Sequence, residues 1–151
     1  MPKLSPYFPA LAFLAMLASA TNPAWADPIA PGQFWALDDA RGPVVQFSTC
    51  GSGLCAALIA LGPVPVAPQD RNNPSPALRN RPVCGMTIIT GLTRTNKGLS
   101  GGTIYDPQTG QTHPMRIDDR GARPKIAIPF GPFSASMAML APVGVQGQCP
   151  R

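Results

Sequence analysis

The chain has 151 residues and a formal net charge of +5 at pH 7, and it contains 20 prolines and 15 glycines. Because glycine costs about 1 and proline about 3 kcal/mol in a helix interior, this composition excludes an extended helical architecture. The length suits one small domain, and the modest basic excess is scattered along the chain, as is typical of a solvated surface.

The first 26 residues have the features of a secretory signal peptide. Lys3 precedes an apolar run from Leu11 to Ala20, and the small residues Ala24 and Ala26 fit a cleavage site. This run is shorter than the roughly 18 apolar residues that a membrane-spanning helix needs. We therefore predict cleavage after Ala26, a periplasmic or secreted location, no transmembrane span, and a mature domain over residues 27–151. A translocated protein does not normally meet nucleic acid, so we expect none as a partner.

Four cysteines in an exported chain predict two disulfides. Cys50 and Cys55 flank the run Gly51–Leu54 between two apolar segments, which places them opposite each other across a predicted hairpin. Three connectivities are open, and we favour Cys50–Cys55 with Cys84–Cys149. A structural zinc site is not favoured, because only the first cysteine pair approaches the spacing of zinc ligands. We expect neither a metal nor a cofactor.

Short apolar or β-branched segments alternate with turn residues along the mature chain. In chain order, the predicted strands are Gln33–Leu37, Val44–Thr49, Ala56–Leu61, Val83–Leu92, Gly101–Tyr105, Gln111–Ile117, Lys125–Ile128 and Ser136–Leu140. The clearest hairpin turn is Asp106–Gly110, with proline second and glycine last. About eight strands in succession favour an all-β fold, a small antiparallel sheet closed into a barrel that can enclose a ligand cavity. Residues 141–151 are expected to form a C-terminal tail.

The segment Gly62–Pro82 carries six prolines and lacks any hydrophobic periodicity, which predicts a long proline-rich loop. Loops of more than about 15 residues in a compact domain are usually functional lids or disordered. Arg71, Arg79 and Arg81 present planar guanidinium groups that match carboxylate, phosphate or sulfate. With Asn73 they form a candidate ligand-binding group at the mouth of the barrel. The alternative is that the arginines donate to backbone carbonyls and fasten the loop.

The residue types of the mature chain do not predict an enzyme. His113 is the single histidine and is interpreted as a solvated or packing side chain. The pairs Asp38–Asp39 and Asp118–Asp119 lie in predicted turns, where aspartate serves backbone geometry. A calcium loop beginning at Asp70 is not favoured, because Arg81 occupies the position that requires a bidentate glutamate. We therefore assign no catalytic residues.

Three ordered motifs carry a resemblance to a bacterial family of exported proteins. They are FSTCGSGLC from Phe47, DRNNPSPALRNRP from Asp70 and GGTIYDP from Gly101, preceded by a spaced-out D-P-x-G-x-W segment that ends at Trp35. On these motifs the chain resembles the family known as domain of unknown function 2147 (DUF2147). The resemblance implies a lipocalin-like β-barrel. The family supplies no agreed catalytic residues, so none are transferred.

We expect an exported β-barrel that binds a small apolar or amphipathic ligand. The predicted ligand-binding residues are Trp35, Phe47, Arg71, Asn73, Arg79, Arg81 and Tyr105. The predicted cavity lining is Phe34, Trp35, Phe47, Ile88, Ile104 and Tyr105. The alternative is a non-enzymatic envelope module that contacts a protein or an anionic polymer through its arginine-bearing loop. An internal void of a few hundred Å³ favours the first hypothesis, and an interior filled by side chains favours the second.

Overall fold

The computed structural model describes residues 29–38, 40–63, 67–120, 123–140 and 149. The predicted signal peptide lies outside the described residues, as does the predicted C-terminal tail apart from Cys149. Within the described part of the chain, no helix is long and apolar enough to cross a membrane.

Eight β-strands and one short 3₁₀ helix make up the regular structure of the described residues. The strands are β1 (Phe34–Leu37), β2 (Val44–Cys50), β3 (Gly53–Ala60), β4 (Thr87–Thr95), β5 (Gly98–Asp106), β6 (Gln111–Asp118), β7 (Lys125–Phe130) and β8 (Phe133–Leu140), and the helix is Pro76–Leu78. Each strand pairs antiparallel with the next one in sequence. The predicted all-β fold of about eight antiparallel strands is confirmed.

Strand β4 differs most from its prediction, Val83–Leu92. It begins at Thr87, because the preceding residues turn and the Met86 N–H donates to the carbonyl of Val83 at 3.1 Å. It continues to Thr95, which pairs with Gly98 at the start of β5. The hairpin thus reverses over two residues, a tighter connection than the gap between the predicted strands Val83–Leu92 and Gly101–Tyr105.

The sheet curls so that its first and last strands meet along a short seam. Two residue pairs form this seam, Ala36 with Leu140 and Leu37 with Met139. Among the described residues, the earlier part of β8 pairs with β7 on one side and with no strand on the other. The predicted full closure of the barrel is therefore wrong: β1 and β8 pair at only these two positions, and over the rest of β8 the sheet is an open half-barrel.

The antiparallel order places alternate connections at the same end of the barrel. The connections β1–β2, β3–β4, β5–β6 and β7–β8 lie at one end, which we call the mouth. Near the opposite end the interior is packed by Leu92, Leu99 and Ile117, each at most 1% exposed. Ile29 is equally buried, and its carbonyl accepts a hydrogen bond of 2.7 Å from Arg94. Buried apolar side chains therefore pack this end of the described barrel.

Both predicted disulfides are present, but the hairpin that carries the first one has a different register. Cys50 is bonded to Cys55 with a Cα–Cα distance of 5.8 Å. Cys50 pairs across the ladder with Gly53, and Cys55 pairs with Ser48, so the two cysteines are diagonal neighbours and not opposite ones. The reason is a tighter turn than the predicted four-residue run. Gly51 begins it with a φ of 59°, a left-handed conformation that glycine adopts without steric cost.

The second disulfide, Cys84–Cys149, joins residues separated by 65 positions. The N–H of Cys149 also donates to the carbonyl of Ile59 on β3 at 2.8 Å. Cys149 is thereby fixed against the end of β3 that leads to the mouth.

Candidate functional site

The barrel holds a cavity of about 450 Å³ at its mouth. Apolar side chains from six strands form most of its wall: Leu37, Leu58, Ile88, Ile104, Ile128 and Met137. The other lining residues are Asp38, Pro43, Leu61, Tyr105, Asp106, Pro107, Gln108 and His113. This volume falls within the range of roughly 300–1,000 Å³ that is usual for small-molecule sites. The cavity is therefore large enough for a small ligand and is mainly apolar.

Strand alternation explains how His113 reaches this cavity. On β6, Met115 and Ile117 are 3% and 1% exposed and face the interior. Because side chains alternate between the faces of a strand, His113 lies on the same face as these two residues. It pairs across the ladder with Ile104, another lining residue. His113 was not predicted to line the cavity, although its position in an alternating series with Met115 and Ile117 indicates that all three share the interior face.

A buried carboxylate lies beside the mouth. Asp70, in the β3–β4 connection, is 0% exposed. Its Oδ1 accepts a hydrogen bond of 2.5 Å from the Tyr105 hydroxyl, and its Oδ2 accepts one of 2.7 Å from Asn73 Nδ2. Arg81 donates to the same Oδ2 through Nε at 2.9 Å and Nη2 at 2.8 Å. We call Asp70, Asn73, Arg81 and Tyr105 the Asp70 network.

The Asp70 network holds its acid ionised and its phenol protonated. Burial alone would raise the pKa of Asp70, but hydrogen bonds from Tyr105, Asn73 and Arg81, together with the Arg81 charge, outweigh it and lower the pKa below 3.8. Burial raises the pKa of Tyr105 above 10.0, and the hydrogen bond to Asp70 and its charge raise it further. The guanidinium carbon of Arg81 lies 5.6 Å from the centre of the Tyr105 ring, which adds a cation–π contact.

The Asp70 network fastens the β3–β4 connection to the outer side of β5. Tyr105 follows Ile104, whose side chain faces the cavity, so the phenol extends from the opposite face of the strand. A second attachment joins Asn72 Nδ2 to the carbonyl of Gln108 at 2.5 Å. Gly110 permits this approach, because a Cβ there would collide with the Asn72 carbonyl oxygen. The connection is thus fixed beside the mouth.

The arginines predicted to bind a ligand are mostly engaged within the chain. Arg81 donates to Asp70, and Arg79 Nε donates to the backbone carbonyl of Asn73 at 2.8 Å. Arg71 is exposed and donates to Gln69 at 3.4 Å. The Arg79 contact matches the alternative in which the arginines donate to backbone carbonyls and fasten the segment, whereas Arg81 and Arg71 donate to side chains.

The predicted aromatic residues lie in different places. Tyr105 borders the cavity, as do Ile88 and Ile104 of the predicted lining. Phe47 is 0% exposed within the packed core, where the cavity does not extend. Trp35 is half-buried and donates its indole N–H to Gln33 at 3.2 Å. Like Phe34, which is 42% exposed, it lies outside the cavity lining.

The central residue that sequence reasoning missed is Asp70, considered there only as the start of a calcium loop. The signal for it was its position in DRNNPSPALRNRP, the motif shared with the resembled family. A lone aspartate in a turn-rich segment is usually exposed. Its burial depends on Tyr105, which lies 35 positions away in sequence.

Comparisons with known proteins agree with this architecture. A family model described as an uncharacterized protein conserved in bacteria (DUF2147) matches residues 32–126. A solved structure from the human pathogen Helicobacter pylori, described as a protein belonging to the lipocalin family, matches with a TM-score of 0.65 and 18% identity. The match covers 75% of this chain and 83% of that chain. At this identity the likeness shows the fold, which is lipocalin-like. A comparison with curated proteins gave no match.

Proposed function

The chain belongs to the DUF2147 family of bacterial proteins, and we propose that it binds a small apolar or amphipathic molecule as a binding protein and not as an enzyme. The observation that carries this proposal is the cavity of about 450 Å³ with apolar walls at the mouth of a lipocalin-like barrel. Removing apolar ligand surface from water against such walls contributes about 25 cal/mol per Å². The binding energy of the ligand would come mainly from this burial.

The alternative, an envelope module that contacts its partner through the arginine-bearing segment, has less support. It calls for an interior filled by side chains, whereas the mouth end holds a cavity. It also calls for arginines directed at a partner, whereas Arg79 and Arg81 donate to groups of the same chain. The proposal retains an exported location, which the two disulfides support because they persist in oxidising compartments.

Ligand binding is tested with N-phenylnaphthylamine, an uncharged probe whose fluorescence rises in apolar surroundings. We expect the fluorescence to rise in a saturable way when the protein is added. We also expect the affinity to fall about tenfold in Ile128→Trp, because the larger side chain fills part of the cavity. Keeping a part of the probe equivalent to two methylene groups out of the cavity costs about 1.6 kcal/mol. Ile128 lines the cavity, and the neighbouring Pro129 is exposed. Pro129→Trp is therefore the matched control and keeps the affinity. Native mass spectrometry of protein from its own host would identify a co-purifying ligand. Absence of saturable probe binding and of any co-purifying molecule would contradict the proposal.

A further inference from the structure

The charged side chains of the described cavity lining are opposite in sign to the net charge of the whole protein. The chain has 12 lysines and arginines against 7 acidic residues. Among the described residues that line the cavity, however, the acidic Asp38 and Asp106 are present and no lysine or arginine is. With histidine counted as neutral, the lining carries negative charge in a protein of net positive charge.

The two acidic residues occupy fixed positions at the mouth. Asp106 ends β5, where its Oδ1 accepts a hydrogen bond from the Gln108 N–H and its Oδ2 accepts one from the Thr109 hydroxyl, both at 2.8 Å. Asp38 follows β1 with a φ of 74°, the one positive φ among the described non-glycine residues. Aspartate adopts this left-handed conformation more readily than most other non-glycine residues.

We propose that the cavity selects amphipathic ligands with a cationic head group, an ammonium on an apolar body; this inference rests on the proposed ligand-binding function. The apolar body would pack against side chains such as Leu58, Ile104 and Ile128, which line the cavity. The ammonium would lie at the mouth, where Asp38 and Asp106 attract it. An anionic head group of the same size would be repelled by both carboxylates and would meet no lysine or arginine among the lining residues that the structure describes.

The test compares three ligands that share a dodecyl chain: dodecylamine, dodecanol and dodecanoate. The assay measures how well each ligand displaces N-phenylnaphthylamine at pH 8 and low ionic strength. Each ligand is used at concentrations at which it does not self-associate. We expect dodecylamine to bind about fivefold more tightly than dodecanol, the effect of exposed charge pairs, and dodecanoate to bind most weakly. Added salt should reduce the preference, because ions screen charges at the mouth.

Substitutions of Asp38 and Asp106 test whether these two carboxylates cause the preference for the amine over the alcohol. In the double variant Asp38→Asn with Asp106→Asn, the ratio of amine to alcohol affinity should fall to about one. The control is Asp118→Asn, which removes one negative charge at the opposite end of the barrel, where Asp118 pairs with Arg120. It should keep the preference for the amine.

The outcomes separate this inference from the function on which it rests. Equal binding of amine and alcohol, tighter binding of dodecanoate, or an unchanged amine preference in the double variant would each overturn the charge selection while leaving apolar binding intact. Failure of all three ligands and of the uncharged probe would overturn both. Selective loss of the amine preference in the double variant, but not in Asp118→Asn, supports the inference.

Discussion

The Tyr105 hydroxyl donates a 2.5 Å hydrogen bond to Oδ1 of Asp70, and this contact joins strand β5 to the connection between β3 and β4. Asp70 has no exposed surface, whereas the Arg81 side chain that pairs with it is 37% exposed. A buried ion pair is costly to break from one side, because the remaining charge loses its compensation. The stability of the mouth therefore depends on a complete Asp70 network.

Replacing Asp70 by asparagine should lower the free energy of unfolding by about 2–3 kcal/mol. The change removes the charge that pairs with Arg81 and turns one acceptor atom into a donor that faces other donors. The expected loss is smaller than the 3–5 kcal/mol typical of fully buried pairs, because the Arg81 side chain is partly exposed. Urea unfolding followed by tryptophan fluorescence measures it. Arg71→Gln is the control, since Arg71 is exposed, and should change the free energy by no more than about 0.5 kcal/mol. Equal effects of the two substitutions would contradict a structural role for the Asp70 network.

Acid should destabilise the protein in a way that depends on Asp70. The folded protein holds the pKa of this carboxyl below its ordinary value of 3.8. The resulting contribution to stability is fully present above the unfolded pKa and is lost as the pH falls through the lower folded pKa. Urea unfolding between pH 5 and pH 2.5 should therefore show a steeper loss in the wild type than in Asp70→Asn. Parallel pH profiles would show that Asp70 is not perturbed.

The phenol of Tyr105 should ionise above pH 10 in the folded protein. Burial raises its pKa, and the hydrogen bond to Asp70 and its negative charge raise it further. Its stabilising contribution is therefore present below pH 10 and is lost as the pH rises through the folded pKa. The ultraviolet absorbance of tyrosinate, with Tyr105→Phe as the blank, measures the midpoint. Asp70→Asn should move this midpoint to lower pH, and an unmoved midpoint would rule out the electrostatic coupling of the two residues.

The sequence allowed the strands to be predicted because each carries its own local signal. Val44–Thr49 is β-branched and aromatic, and Asp106–Gly110 has turn residues in the required order. The predicted strand ends and register were less accurate, because residue types alone do not specify how tight a turn is. The turn at Gly51 is tighter than predicted and changes the pairing partner of Cys50. The partner of Cys50 shifts by two residues, from the expected Cys55 to Gly53, which exchanges opposite neighbours for diagonal ones on the same face.

The candidate site was harder to predict because its contacts join distant segments. Ile88 and Ile104 were placed in the lining correctly, but His113 and Asp38 come to the cavity only when β1 and β6 curl into the same barrel. The arginines looked available for a ligand because their acceptors are remote or are backbone groups. Arg81, for example, meets Asp70 across 11 positions of a segment without regular periodicity.

The long-range disulfide should contribute more to stability than the hairpin disulfide. In the chain-entropy relation, Cys84–Cys149, with a separation of 65, stabilises by about 4 kcal/mol, and Cys50–Cys55, with a separation of 5, by about 2 kcal/mol. Paired serine substitutions at each disulfide, compared by urea unfolding, measure the difference. A larger loss from the Cys50–Cys55 pair would contradict this order.

The ribbon formed by the outer parts of β7 and β8 should open locally before the rest of the barrel. Strand β6 pairs with β7 only over Lys125–Ala127, and β1 pairs with β8 only at Met139 and Leu140. Among the described residues, the intervening parts of these two strands therefore pair only with each other, and Phe133 near the tip is 78% exposed. Segments with few partners exchange their amide hydrogens through local opening at a free energy below that of global unfolding.

Hydrogen–deuterium exchange with mass spectrometry tests this prediction. The peptides covering residues 128–138 should exchange faster than the hairpin of β2 and β3, which is paired along its length and closed by Cys50–Cys55. Because Ile128 and Met137 line the cavity, a bound ligand should slow exchange in the ribbon and leave the β2–β3 hairpin as it was. Dodecylamine is the probe, and Ile128→Trp, which occupies the cavity, should not show this slowing. Exchange in the ribbon as slow as in the β2–β3 hairpin would contradict the prediction, because it would show that the ribbon is held as firmly as that hairpin.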